Sequence, residues 1–230
     1  KEPEMLKMLS EIFENCHSHA SRFASLADSA NHAAEQMAFL SATFSERSTG
    51  YSLQMEPCFM PVLTKEILQK YVRKDLPGRE IFLVQLQDYT RQLAKQKMIY
   101  ICSMEGILRF LQNGRIPEIP DGLYEIPSAS DRIQIVKALL APERATRLRI
   151  LKNSIGNTET PVYLYITPKT GTLRLPLATD QMVNLQIQET GMLEAFYDFC
   201  ENLDEEMFYS FEEAEQIVEE EMKAGDWKAE

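Results

Sequence analysis

Apolar and polar positions along the first 46 residues recur with a helical period. Leu9, Ile12, Cys16, Ala20, Phe23, Ala27, Ala30, Ala34, Met37 and Phe44 follow one another mostly at steps of three or four, the spacing of one helical face. No Pro or Gly interrupts between Glu4 and Gly50. The pattern predicts one long helix or a helical hairpin over 4–46. Its alanines let a partner approach closely, which suits a coiled-coil arm and equally packing on the chain's own body.

The pattern then becomes mixed. "YSLQMEPCFMPV" (51–62) alternates weakly and carries two prolines, which predicts an edge strand or an extended connection. Thr64 is placed as the N-cap of a helix through "KEILQKYVRKDL", stopped by Pro77 and Gly78. "REIFLVQLQDYTRQLAKQK" is expected to begin extended and finish helical, with Phe82, Leu86, Tyr89 and Leu93 as its apolar set. "MIYIC" (98–102) is a continuous apolar run of strand type. "MEGILRFLQNG" (104–114) is a short helix with a C-terminal Gly signal. After the loop "RIPEIPDGLYEIP", Ser130 and Asp131 are expected to cap a helix that Pro142 ends.

From residue 146 the period is two. "TRLRILK", "PVYLYIT", "GTLRLPLA" and "MVNLQIQ" all alternate, and "PKTG" (168–171) reads as a tight hairpin turn. Two helices close the chain, over 189–203 and 210–225, the second with Ser210 and Glu213 at capping-box spacing. The expectation is therefore an α+β fold. A mixed α/β body with a mostly antiparallel sheet and flanking helices occupies 51–230. A helical arm or connector over 1–50 precedes it, and two C-terminal helices end it.

Charge sharpens this outline. The formal net charge is −11, and residues 189–230 hold two basic against fifteen acidic residues. The C-terminal helices are thus strongly acidic, which argues against nucleic-acid contact through them. A solvated helix face is the simplest reading. No apolar run is long enough to span a membrane. The four cysteines, Cys16, Cys58, Cys102 and Cys200, show no CxxC pairing. Cys102 and Cys200 read as small buried hydrophobes, and a reduced cytoplasmic protein is expected.

The chemistry is defined mainly by what is missing. His17, His19 and His32 all lie in the N-terminal helix, and no histidine follows. The body cannot build a Ser-His-Asp triad or a histidine-rich metal site from its own residues; a histidine would have to reach in from the arm. "CHSH" (16–19) cannot gather around one ion on one helix, because Cys16 and His19 share adjacent faces while His17 points away. Phosphate-binding glycine patterns are absent. The arginines of "ERATRLRILK" read as the exposed side of an edge strand. No metal and no cofactor are expected.

The segments "EGILRFLQNGRIPEIPDGLYEIPSASDRIQIVKALL", "TRLRILK", "VYLYITPKTGTLRL" and "MLEAFYDFCENLDEEMFYSFEEAEQIVEEEM" together resemble a region of Firmicutes regulators. In those proteins it lies C-terminal to a Cro/C1-type (XRE) helix-turn-helix. The resemblance spans about residues 51–222 and is carried by the "EG"-helix-Gly-Arg segment and the closing "F-x-D-F" and "Y-S-x-E-E" pair. It implies a non-enzymatic sensing or oligomerisation domain of a bacterial transcriptional regulator, cytoplasmic, contacting DNA only through a missing upstream domain. The absent initiator Met fits a piece of a longer protein. A homodimer through the helical arm and an unknown small-molecule or protein effector are the partners expected. The alternative is an adaptor-like interaction module with an acidic C-terminal docking surface. A degenerate hydrolase or phosphodiesterase ranks third.

Candidate ligand-binding residues are Tyr100, Cys102, Glu105, Arg109, Arg115 and Tyr165. They gather around the strand-Gly-helix turn at 98–115 and the aromatic strand "VYLYI". Glu105 and Arg115 stand beside a strand end, where ligands bind in many α/β sheets.

Overall fold

A computed structural model describes residues 26–43, 49–116, 119, 122–155, 163–178 and 181–224. The N-terminal positions Leu9 to Phe23, with His17, His19 and the "CHSH" cluster, lie outside the described residues.

The elements run α1 (Leu26–Thr43), β1 (Gly50–Gln54), α2 (Lys65–Tyr71), α3 (Arg79–Lys95), β2 (Met98–Ser103), α4 (Met104–Asn113) and α5 (Ala129–Leu139). Then come β3 (Leu148–Leu151), β4 (Tyr163–Ile166), β5 (Gly171–Ala178), β6 (Gln181–Ile187), α6 (Thr190–Glu201) and α7 (Phe211–Ala224). The strands form one mixed sheet in the order β3-β2-β1-β4-β5-β6. β1, β2 and β3 are parallel, joined by the helical crossovers α2–α3 and α4–α5. β4, β5 and β6 form an antiparallel meander joined to β1. The fold is α+β, with the two C-terminal helices in place.

Several local signals act as expected. Thr64 accepts a hydrogen bond from Ile67 N, and Ser210 and Glu213 exchange the two bonds of a capping box. Gly114 ends α4 with φ 69°, and a Cβ there would stand 2.1 Å from the Ile126 carbonyl oxygen. That site tolerates only glycine, both for its conformation and for the contact. The buried Arg132 guanidinium donates to the carbonyls of Leu111, Ile126 and Pro127 at 2.6–2.9 Å, tying the end of α4 to the start of α5.

Other segments depart from the sequence reading. "YSLQ" is not an edge strand: β1 sits between β2 and β4, and its prolines fall beyond it, at Pro57 and in a short 3-10 turn over Met60–Val62. Residues 79–95 are helical throughout rather than extended at the start, because Phe82, Leu86, Tyr89 and Leu93 all need one buried face. The helix after Thr64 stops at Tyr71, where Val72 turns extended and bridges Tyr124. Ser128, not Ser130 or Asp131, caps α5, accepting from Asp131 N. This frees the Asp131 carboxylate to pair with Lys70 and Tyr71.

Two cores flank the sheet. On one side α6 covers Tyr51, Ile101, Leu151, Leu164, Ile166 and Ile187. On the other, α1, α3, α4, α5 and α7 share a larger cluster. Ala30, Ala33, Met37 and Leu40 of α1 are buried in it beside Phe82, Leu86 and Leu93 of α3. Over its described length, then, the arm is a layer of the body and its alanine face is already occupied.

Candidate functional site

The parallel strands β1, β2 and β3 end at one edge, and the residues that follow them converge there. Met55 and Glu56 follow β1, Ser103 and Glu105 stand at the β2–α4 junction, and Ser154 follows β3; with Gly106 and Arg109 they line a recess of about 10 Å³, room for one water. Gly106 explains the "EG" signal. A Cβ there would lie 2.2 Å from the Met55 carbonyl oxygen and 2.9 Å from Glu56 Cα, so glycine lets the first turn of α4 close on the β1 exit. Ser103 clamps the same junction: its Oγ donates to Met55 O at 2.9 Å and accepts from Gly106 N at 3.1 Å.

The charges in this recess are engaged with one another. Arg109 donates to Glu105 Oε1 at 2.7 Å and to Glu56 Oε1 at 3.4 Å. Ser154 Oγ donates to Glu105 Oε2 at 3.1 Å, and Tyr163 Oη to Glu56 Oε2 at 3.4 Å. The half-exposed pairs are worth little to stability, about 0–1 kcal/mol each. Their role is to order the crevice and to link it, through Tyr163, to the sheet face beneath α1.

That face is polar. Strand register sets Tyr100, Ser52, Tyr165, Thr172 and Gln186 in one row across five strands, and Gln54, Tyr163, Arg174 and Asn184 in the next. Neighbours in a row stand about 4.8 Å apart. Ser52 and Thr172 are 0% exposed and Arg174 only 2%. Tyr165 Oη donates to Gln54 Oε1 at 3.2 Å, and the Arg174 guanidinium lies 5.9 Å from the Tyr163 ring centre. Ser52 Oγ, Thr172 Oγ1, Asn184 Oδ1 and, on α1, Gln36 Oε1 are buried with no hydrogen-bond partner among the described residues. Each such atom costs about 1–3 kcal/mol, and three of the four lie on one face of the sheet, spread from β1 to β6.

α1 packs against β5 on this face. His32, one turn before Gln36, interacts with the charge of Arg174. Burial holds the His32 imidazole below its usual pKa; Glu35 pulls the other way, and Arg174 adds the smallest, lowering contribution. A histidine from the arm does therefore reach the body, which nothing in the sequence suggests.

The structure divides the six sequence candidates. Glu105 and Arg109 meet in the crevice. Tyr100, Cys102 and Tyr165 lie on the α1-facing side of the sheet. Arg115 stands apart, past the far end of the ten-residue α4, about 15 Å from its start. The Cys102 thiol is fully buried and pushed up to about 12 by desolvation, as is Cys200; neither is an activated nucleophile. The residues that sequence reasoning missed are Ser52, Gln54, Thr172, Arg174 and Asn184. Their signal was present as alternating polar positions, but it reads as a solvent-facing side. Among the described residues no three His, Cys, Asp or Glu side chains stand together to hold a metal ion, and no helix is long and apolar enough to cross a membrane. The arginines of 143–152 are not simply solvated: Arg149 stacks 3.9 Å from the centre of the Phe208 ring and donates to Glu205.

Comparison with models of protein families, with characterised proteins and with solved structures finds no match.

Proposed function

We propose that the chain is the regulatory domain of a bacterial transcriptional regulator, without enzymatic activity of its own. It would receive a small polar effector between α1 and the polar sheet face. The observation that carries this reading is the set of buried polar atoms at Gln36, Ser52, Thr172 and Asn184 that have no hydrogen-bond partner among the described residues. A ligand offering both donors and acceptors there relieves a standing cost, and relief specific to one state is what shifts an equilibrium. Because α1 packs against this face and leads back toward the N-terminus, a ligand there changes how α1 is held. That is the movement an upstream DNA-binding domain would feel.

The test has two parts. The gene sequence upstream of Lys1 is expected to encode a helix-turn-helix. The purified chain, scanned by thermal shift against fractionated polar metabolites, is expected to be stabilised by at least one of them, with slowed amide exchange in 26–43. An upstream reading frame without a helix-turn-helix rejects the regulator. A chain that no polar fraction stabilises rejects the effector.

A further inference from the structure

The sheet has two outer strands, and the chain treats them differently. The outer edge of β3 is covered by the segment before α7. Lys152 N donates to Met207 O and Tyr209 N to Ile150 O, both at 2.9 Å, and Leu151 bridges Phe208. At the opposite end β6 pairs with β5 on its inner side and, among the described residues, with nothing on its outer side. A free edge is ordinarily guarded by a charge, a proline or a bulge along it. β6, with the sequence QMVNLQI, has neither charge nor proline. The one register irregularity sits at the turn end, opposite Pro176 and Ala178, and leaves Val183 to Ile187 regular.

The strip beside this edge is apolar. Leu173 faces Leu185 and Leu175 faces Val183 across the β5–β6 pair. All four are only partly buried, on the side of the sheet where α6 covers β1 and β4. The patch therefore runs up to the open edge and stops there.

We propose that two copies of the chain pair β6 against β6, antiparallel about a two-fold axis, joining their sheets and their Leu173–Leu175–Val183–Leu185 patches. A second copy is the occupant that this uncharged, self-complementary edge fits. With a net charge of −11, two copies repel wherever acidic surfaces meet. The seven residues of β6 carry no charge, so along the strand itself they meet without that repulsion. A basic partner would be drawn instead to residues 189–230, where fifteen acidic residues stand against two basic ones. Antiparallel pairing of a strand with itself is self-complementary, as a two-fold contact requires.

Light scattering and amide exchange on the whole chain test this. A dimer is expected, with exchange at 183–187 slowing as concentration rises through the dimer transition. Val183→Lys and Leu185→Lys are each expected to raise the dimer dissociation constant at least tenfold. A monomer at every concentration overturns the proposal. So does a dimer whose β6 exchange does not depend on concentration, or one lost only when residues 1–46 are removed. Should either lysine variant fail to fold, the exchange measurement on the unmodified chain decides.

Discussion

Tyr51, Leu53, Leu164 and Ile166 turn toward α6, while Ser52, Gln54, Tyr163 and Tyr165, on the same two strands, turn toward α1. The α6 side is an ordinary apolar core, where every buried group gains by leaving water. The α1 side buries hydroxyls, amides and a guanidinium, some of the hydroxyls and amides unpaired among the described residues. One sheet thus has a face built for stability and a face that spends it. Proteins that do this at one place usually do so for function.

The largest expected effect tests the apolar face. Ile101 is 0% exposed beneath α6, and Ile101→Ala is expected to cost about 2–5 kcal/mol. Ser52→Ala, on the neighbouring strand and the other face, is expected to raise stability by about 1 kcal/mol, because the hydroxyl it removes has no partner among the described residues. Urea unfolding of the two variants measures both. Equal losses would erase the distinction between the faces.

The crevice edge comes next. Gly106→Ala places a methyl group 2.2 Å from a backbone oxygen, where no flexible side chain can yield. It is expected to cost about 1–3 kcal/mol as α4 is pushed off the β1 exit. A melt unchanged from that of the native chain would show that the junction is loose and that the recess is not a fixed feature.

The contrast between the faces also explains what could be read from the sequence. Capping residues are local, so Thr64, Gly114 and the Ser210–Glu213 box were legible. So were β2, α4, the "PKTG" turn and the two closing helices. β1 was legible as a strand but not as a central one: Ser52 and Gln54 alternate with Tyr51 and Leu53, which is what a strand with one wet face looks like. Whether that second face is wet depends on which distant segment covers it. Here the cover is α1, more than a hundred residues before Arg174 in the chain. The polar rows therefore read as surface, and His32 read as remote from the body. The crevice was half legible, because a strand end followed by Glu-Gly points to it. That Arg109 would be engaged by both Glu105 and Glu56 required the β1 exit to be in place.

A smaller effect, of opposite sign, probes the polar face itself. Thr172→Val keeps the shape and removes a hydroxyl that is fully buried and, among the described residues, unpartnered. The variant is expected to be more stable by about 1 kcal/mol, read as a raised urea midpoint at unchanged slope. A loss of stability would mean that the hydroxyl is satisfied in the folded protein, and the deficit argued above would shrink. A gain, accompanied by loss of effector response, would tie the unpaired atoms to the proposed site.

The smallest effect is a pH dependence. Burial and the nearby Arg174 lower the His32 pKa below 6.5, against the pull of Glu35. In the unfolded chain the imidazole takes up its proton near 6.5, while in the folded chain it resists protonation. The unfolded state therefore binds more protons, and stability falls as pH drops below 6.5 until the folded pKa is passed. The Asp131 carboxyl, held low by Lys70 and then by Tyr71, loses its contribution only below its ordinary 3.8. The two windows are separate. Once corrected for the intrinsic pH dependence of amide exchange, exchange of 26–43 is expected to quicken between pH 7 and pH 5 in the native chain, and this acceleration is expected to vanish in His32→Gln. An acceleration that survives the substitution would place the pH response elsewhere, and α1 would no longer be the part of the polar face that senses charge.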